Sequence, residues 1–284
     1  ENSSRPNNFI GIHYFSPVEK MPLVEIIMGE KTSQETLAKA MDYVQKIKKT
    51  PIVVNDSRGF YTSRVFGTYT GEGVAMLAEG IKPALIENAG KMTGMPMAPL
   101  ALSDAVALDL AWKVTTQTKK DFESEGKEFP ITPMYSIMEE MVEKQGRFGK
   151  KNNKGFYEYP ENGKKYLWPE LSNLCKESED QPDVNELKKR FLYIQALETA
   201  KCYEENVLTD VRDADIGAIL GWGMAPWTGG PLSYIDMVGI KDFVAEADNL
   251  AQKYGERFAP CKLLRDMAAK NESFHKSGNS SQVA

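Results

Sequence analysis

An internal repeat is the feature of this chain that most limits what it can fold into. An arginine is followed eight residues later by a glutamate, and seven residues further on by a second glutamate. This triplet occurs at Arg64, Glu72 and Glu79, and again at Arg190, Glu198 and Glu205. A Met-Ala-Pro break follows each triplet, at 97–99 and 224–226, and an aspartate follows each break, at Asp104 and Asp236.

The repeated order of these landmarks predicts a duplicated helical unit. A long helix is predicted to run to about Glu79, and proline-rich breaks separate the helices that follow it, as expected of an all-α region. Two copies of such a unit would bury their apolar faces against each other. The alternative is two unrelated bundles that share helix-breaking residues. We favour duplication because the whole order of landmarks is repeated.

A short β-α-β arrangement precedes the helices. Residues 8–15 and 23–28 are apolar runs rich in β-branched and aromatic side chains, so each predicts a strand. A helix is predicted to open with Thr32 or Ser33 as its N-cap, and residues 51–55 predict a third strand. The predicted fold class is therefore mainly α, with tandem helical domains after a short β-α-β segment.

Charge and cysteine content argue against several kinds of protein. The chain has 35 lysines and arginines and 40 acidic residues, a net charge of −5, with no basic block, which argues against nucleic-acid binding. Its three cysteines have no Cys-x-x-Cys spacing, so we expect no disulfide framework, no metal site and a cytoplasmic location. No apolar run approaches the length of a membrane span. The chain starts with neither methionine nor a signal peptide, so we expect a piece of a longer protein.

One of the two histidines, His13, lies near the end of the first predicted strand, and Glu25 lies in the next strand. Adjacent strands could bring the two side chains together. A carboxylate beside an imidazole fixes its tautomer and stabilises its protonated form, which is a common way to build a general base. The alternative is a core histidine with a satisfied hydrogen bond and an edge-strand glutamate, and the pair alone leaves both open.

The segment around this pair resembles the catalytic-histidine segment of the 3-hydroxyacyl-CoA dehydrogenases. The matching pattern is His-aromatic-Phe-(Asn/Ser)-Pro followed by Leu-Val-Glu-(Ile/Val)-Ile, at 13–17 and 23–27. The resemblance covers nearly all of residues 8–275. Its other specific segments are 59–64, 94–99, 148–151 with 155–157, and 229–230 with 234–236.

This resemblance implies a domain organisation. Stand-alone members of the family have a Rossmann NAD-binding domain and one helical domain, whereas the helical domain is doubled in multifunctional fatty-acid β-oxidation enzymes. The chain resembles the C-terminal part of the second kind. The implied domains are a remnant of the Rossmann domain at 1–55, a first helical domain at 56–160, a linker at 161–187 and a second helical domain at 188–284.

The implied reaction is the oxidation of an L-3-hydroxyacyl-CoA to the 3-oxoacyl-CoA with NAD, within a longer parent enzyme. The resemblance makes His13 the base and Glu25 the residue that holds it. Ser63 is implied to bind the substrate, and Ser16 and Lys151 to lie near the cofactor. For Lys151, a solvated surface lysine is the alternative.

The sequence departs from the family pattern in two places. The Gly-x-Gly-x-x-Gly loop that binds the dinucleotide is absent, because strings such as Gly221-Trp222-Gly223 lack the third glycine. Ser63 stands where the family usually has asparagine. A serine hydroxyl can still hydrogen-bond a substrate oxygen, although it is shorter and has no amide.

Two functions are therefore compatible with the sequence. The chain is either the catalytic-histidine part of an NAD-dependent dehydrogenase that acts on acyl-CoA, completed by an upstream Rossmann segment, or a non-catalytic helical scaffold that is inactive alone. The resemblance leaves open whether an enoyl-CoA hydratase domain lies upstream and whether a thiolase subunit binds.

Overall fold

The structure, a computed structural model, describes residues 3–275. The chain divides into two compact units. The first, which we call the split unit, comprises residues 1–66 together with 192–284, and the second, the continuous unit, comprises residues 67–191. The split unit is therefore built from an early and a late segment of the chain.

The predicted domain boundaries after residues 55, 160 and 187 divide the chain in sequence rather than in space, and they stay a prediction. The outer ends of the predicted domains, residues 1–2 and 276–284, lie outside the described residues.

A three-stranded sheet opens the split unit. Its elements are β1 (Gly11–Tyr14), β2 (Leu23–Met28), α1 (Gln34–Lys46) and β3 (Thr50–Asn55). β2 lies in the middle, antiparallel to β1 and parallel to β3, and α1 makes the crossover. The Ser33 side chain accepts a hydrogen bond from the Thr36 N–H and so caps α1, as the sequence predicts. The expected β-α-β arrangement is present.

Helices make up most of the rest of the chain. The first group is α2 (Thr62–Ala78), α3 (Pro83–Met92), α4 (Pro99–Val106), α5 (Leu108–Ser124) and α6 (Pro133–Glu139). A short hairpin of β4 (Tyr157–Glu158) and β5 (Tyr166–Leu167) and the single-turn helix α7 (Leu171–Leu174) come next. The second group is α8 (Val184–Glu204), α9 (Val211–Trp222), α10 (Pro231–Val238), α11 (Ile240–Tyr254) and α12 (Lys262–Lys270). The mainly α fold class is confirmed.

The repeated arginines and glutamates pair reciprocally. In the split unit, Arg64 of the first copy donates to the second copy's glutamates: through Nε to Glu198, and through Nη1 and Nη2 to Glu205 at 2.5 and 3.0 Å. In the continuous unit, Arg190 of the second copy donates to the first copy's glutamates, through Nε to Glu72 at 2.7 Å and through Nη1 and Nη2 to Glu79 at 2.6 and 3.0 Å. Each arginine therefore uses the same atoms on the equivalent glutamates.

Equivalent acids also cap helices in the two copies. Glu87 accepts hydrogen bonds from the N–H groups of the second and third residues of α4, at 2.7 and 3.2 Å. Asp215 accepts from the second and third residues of α10, at 2.8 and 3.2 Å. Both helices begin with proline, so these acids satisfy N–H groups that have no acceptor within the helix. The helix caps therefore repeat along with the sequence.

The aspartates that follow the Met-Ala-Pro breaks hold equivalent segments too. Asp104 accepts from the N–H groups of Phe156 and Tyr157 at 2.8 and 2.9 Å, and Asp236 from those of Phe274 and His275 at 2.9 and 2.8 Å. The Tyr157 hydroxyl then donates to Glu87, while the His275 imidazole bonds Asp215 at 2.7 Å. The duplication therefore extends to His275. In these two segments, the sequences share little more than the phenylalanines Phe156 and Phe274.

Between residues 3 and 275, none of the helices combines the length and apolar character needed to cross a membrane.

Candidate active site

Pairing of β1 with β2 places His13 directly opposite Glu25. The His13 Nδ1 and Glu25 Oε2 atoms are 2.6 Å apart. The Glu25 side chain is fully buried, and that of His13 is 29% exposed. The structure therefore brings together the two residues that the sequence predicts as a pair, with the imidazole open to solvent and the carboxylate behind it.

A turn and a helix start surround the Glu25 carboxylate. Gly59 and Phe60 adopt left-handed conformations, with φ of 77° and 48°. The next two N–H groups, of Tyr61 and Thr62, both donate to Glu25 Oε1, at 3.1 and 2.9 Å. Since Thr62 begins α2, the positive end of that helix dipole also faces the carboxylate. A bulky residue such as Phe60 is strained at positive φ, and such strain is often found at functional sites.

The Thr62 side chain supplies a further donor. Its Oγ1 donates to Glu25 Oε2 at 2.7 Å, the same oxygen that meets His13. The carboxylate thus accepts four hydrogen bonds, which matches the number of lone-pair sites, about four, on an ionised carboxylate. This arrangement suits a charged Glu25 that accepts from Nδ1–H of a neutral His13, so that Nε2 carries the lone pair.

The imidazole lies among aromatic rings. The ring centroids of Phe15 and Phe60 lie 4.8 and 5.7 Å from that of His13. Nε2 of His13 has no hydrogen-bond partner among residues 3–275. Because Glu25 holds Nδ1 and Nε2 has no partner among these residues, Nε2 can take a proton from a bound molecule.

Helix α9 of the second copy supports the site from behind. A Cβ atom at Gly221 would lie 2.8 Å from Leu23 Cδ2 and 3.4 Å from Thr62 Cγ2, and one at Gly217 would lie 2.8 Å from Ile52 Cδ1. Asp213 in the first turn of α9 accepts a hydrogen bond from Val53 N–H at the open edge of β3, at 3.0 Å. The second helical copy is therefore part of the wall that holds β2 and the start of α2.

The predicted substrate and cofactor residues have different surroundings. Ser63 follows Thr62 in α2 and is exposed, and Ser16 is exposed three residues after His13. Both belong to the split unit, as do His13 and Glu25. Lys151 belongs to the continuous unit, where its Nζ bonds Asp109 Oδ2 at 2.7 Å. This hydrogen bond lowers the pKa of Asp109.

Thr62 is the site residue that the sequence reasoning missed. The family pattern drew attention to the neighbouring Ser63, and nothing local distinguishes a threonine at a helix start from an ordinary N-terminal residue. The available signal was the glutamate itself. A buried charged Glu25 needs several donors, and hydroxyl groups near the turn at Gly59 were candidates.

Comparison with known proteins gives a consistent result. The family model described as 3-hydroxyacyl-CoA dehydrogenase, NAD binding domain, matches residues 1–57, and the model described as 3-hydroxyacyl-CoA dehydrogenase, C-terminal domain, matches residues 59–159. Together they match more than half of the 284-residue chain.

Solved structures share the fold. The 3-hydroxybutyryl-CoA dehydrogenase of Escherichia coli K12 matches with a TM-score of 0.74 and 22% identity, over 95% of this chain and 72% of its own. The dehydrogenase part of multifunctional enzyme 1 from C. elegans matches with a TM-score of 0.65 and 26% identity, over 93% of this chain and 60% of its own. The chain therefore spans less than two thirds of the C. elegans chain.

The two matched domains meet at the site. His13 and Glu25 lie within the NAD-binding match, and Thr62 and Ser63 lie within the C-terminal match. The NAD-binding match identifies NAD as the cofactor. From these matches, and from the fold that surrounds the histidine–glutamate pair, we conclude that the chain belongs to the 3-hydroxyacyl-CoA dehydrogenase family.

Proposed function

We propose that this chain is the catalytic-histidine part of an enzyme that oxidises L-3-hydroxyacyl-CoA to 3-oxoacyl-CoA with NAD in fatty-acid β-oxidation. The observation that carries the proposal is the 2.6 Å contact of His13 with a buried, fully hydrogen-bonded Glu25. It is further supported by the similarity to the dehydrogenase part of a multifunctional enzyme.

In this proposal His13 Nε2 accepts the proton of the substrate's 3-hydroxyl group. The imidazole then becomes positively charged, and the adjacent Glu25 carboxylate offsets that charge through Nδ1–H. Because Glu25 is ionised before and after the transfer, the proton stays on His13 until it leaves to solvent. In the reverse direction, protonated His13 returns the proton to the 3-oxo oxygen.

Ser63 is proposed to bind the substrate. It is exposed and lies one residue beyond Thr62, which bonds Glu25. A hydroxyl at this position can donate to the reacting oxygen or to the thioester carbonyl. Because serine is shorter than the family's usual asparagine, we expect a weaker contact here.

NAD accepts the hydride in the proposed reaction, but this chain's residues do not fit its pyrophosphate. Rossmann folds hold that group at a helix N-terminus behind a three-glycine loop, and the sequence has no such loop. The N-terminus of α1 is closed by the Ser33 cap and carries Glu35, whose charge would repel phosphate. We propose that the pyrophosphate is held by a Rossmann segment upstream in a longer parent enzyme, with Ser16 and Lys151 near the cofactor.

The context of the parent enzyme is a further part of the proposal. A multifunctional relative supports additional domains, for which an enoyl-CoA hydratase domain and a thiolase subunit are the candidates. A cytoplasmic location agrees with three free cysteines among the described residues, two of them buried.

The missing loop favours a second candidate for the chain taken alone, a helical scaffold without activity. The test is oxidation of NADH with acetoacetyl-CoA, measured on the parent enzyme and on this chain. Activity of the parent that is lost in the chain alone would support the proposal. A parent enzyme without activity on any 3-oxoacyl-CoA would leave the scaffold as the function.

A further inference from the structure

Glu25 Oε2 is shared between two donors that come from different elements. His13 Nδ1 in β1 lies 2.6 Å away, and Thr62 Oγ1 at the start of α2 lies 2.7 Å away. We propose that Thr62 is a positioning residue for the His13–Glu25 pair, an inference that rests on the proposed function. Thr62 acts through the carboxylate and touches neither substrate nor cofactor in this scheme.

The orientation of Thr62 is fixed by packing. The residue is 1% exposed. Its methyl carbon Cγ2 faces Gly221 of α9, where an added Cβ would come within 3.4 Å. A β-branched side chain has few χ1 choices. With the methyl group against α9, the hydroxyl is held toward Glu25. The second helical copy therefore sets the direction of a hydrogen bond in the first copy's site.

The hydroxyl also fixes the carboxylate. Oε1 is held by two backbone N–H groups, and Oε2 would retain His13 alone if the Thr62 hydroxyl were absent. Glu25 is fully buried, so water does not readily replace the lost donor. The carboxylate could then rotate about its last bond, and the Nδ1–H contact that sets the histidine tautomer would lose its fixed geometry.

The test uses substitutions that separate hydroxyl from shape. Thr62→Val keeps the shape and removes the hydroxyl, whereas Thr62→Ser keeps the hydroxyl and removes the methyl group. Thr228→Val is the matched control, because Thr228 is also a buried threonine of the split unit, and its hydroxyl bonds Ala225 O at 2.7 Å within its own turn. Each variant is made both in the parent enzyme and in this chain.

Two readouts are measured. In the parent enzyme, we expect Thr62→Val to lower kcat about ten-fold or more with KM changed less than about two-fold, as loss of an interaction needed in the transition state requires. Thr62→Ser should restore most of kcat, and Thr228→Val should leave it near wild type.

The second readout does not depend on activity. The chain has two histidines, so the ring ¹⁵N signals of His13 and His275 can be assigned by removing one at a time. In Thr62→Val we expect the His13 signals to move from a single Nδ1–H tautomer toward a mixture, with His275 unchanged. If Thr62→Val does not fold, Thr62→Cys supplies a weaker donor of similar shape for the same measurement.

Unchanged His13 signals in Thr62→Val would overturn the inference, as would equal losses of kcat in Thr62→Val and Thr228→Val. If the parent enzyme has no dehydrogenase activity, the proposed function fails, and the ¹⁵N signals still decide whether Thr62 positions the pair.

Discussion

Arg190 and Glu72 form an ion pair from which solvent is excluded, with side chains 0% and 1% exposed. The equivalent pair formed by Arg64 and Glu198 is more open, at 20% and 18%. The same charged pattern thus occurs in two environments within one protein. In both, attraction to the glutamates outweighs the effect of burial and raises the pKa of the arginine, so both arginines stay charged.

We expect Arg190→Met to lower the free energy of unfolding by about 3–5 kcal/mol, because it leaves the Glu72 carboxylate buried without its cation. Arg64→Met should cost clearly less, since its glutamates can be solvated. Urea unfolding followed by circular dichroism measures both. Adding Glu72→Met to Arg190→Met should recover part of the loss. An Arg64→Met variant as unstable as Arg190→Met would contradict the argument from burial.

Gly155 is predicted to tolerate no side chain. A Cβ there would lie 2.0 Å from Asp104 Oδ1, the atom that caps the N–H of Phe156. We expect Gly155→Ala to displace Asp104 and cost several kcal/mol, about 2–4, as overpacking combined with a lost buried hydrogen bond does. Gly67→Ala is the control, because nothing lies within 4 Å of that Cβ inside α2. It should stabilise by about 0.5–1 kcal/mol. Equal stability of the two variants would be evidence against the predicted clash.

Burial raises the pKa of Asp104 from 3.8 to about 6, although the N–H groups of Phe156 and Tyr157 oppose the shift. The folded chain therefore holds this proton more tightly than the unfolded chain does. The contribution of Asp104 to stability is present in full below about pH 4 and is lost as pH rises toward about 6. Carboxyl ¹³C NMR of the folded protein should show Asp104 titrating near pH 6. An inflection near pH 4 would mean that the buried hydrogen bonds fully offset the effect of desolvation on this pKa.

His13→Gln in the parent enzyme should lower kcat about 100- to 10,000-fold with a smaller change in KM, because general-base chemistry is lost while binding contacts remain. Glu25→Gln should also lower kcat strongly, since an amide N–H₂ cannot accept from both His13 Nδ1 and Thr62 Oγ1. Initial rates of NADH oxidation with acetoacetyl-CoA measure the effects.

His275→Gln serves as the control for these variants, because this histidine bonds Asp215, which caps α10 in the second copy. It should keep near-normal turnover. A His13→Gln enzyme with normal turnover would show that His13 is not the base.

The sequence predicted those parts of the site that depend on local pattern. Two apolar runs with a short link between them suffice to predict neighbouring strands, and adjacency gave the meeting of His13 with Glu25. The exact register could not be predicted, and it matters because a slip of one residue would turn the two side chains to opposite faces of the sheet. Thr62 could not be predicted in the same way, since its role depends on a turn at Gly59 and on the packing of α9.

The repeat illustrates the same limit. The spacing of Arg64, Glu72 and Glu79 predicts a duplicated unit, but it does not identify the partners of the arginines. The structure joins Arg64 to Glu205, 141 residues away. No local rule of helix spacing carries information about a partner at that distance. The sequence therefore could not predict that the arginine of each copy bonds the glutamates of the other.

The split unit is built from two separated segments of the chain, and this has a consequence for its synthesis on the ribosome. Residues 1–66 are translated before residues 67–191, and these must be made before the rest of the unit appears. At roughly 5–20 residues per second this delay is on the order of ten seconds. Until α9 emerges, Leu23 and Thr62 lack the helix that packs against them. The nascent site therefore stays incomplete until α9 has been made, and a chain released before that point would carry His13 and Glu25 without the support that aligns them.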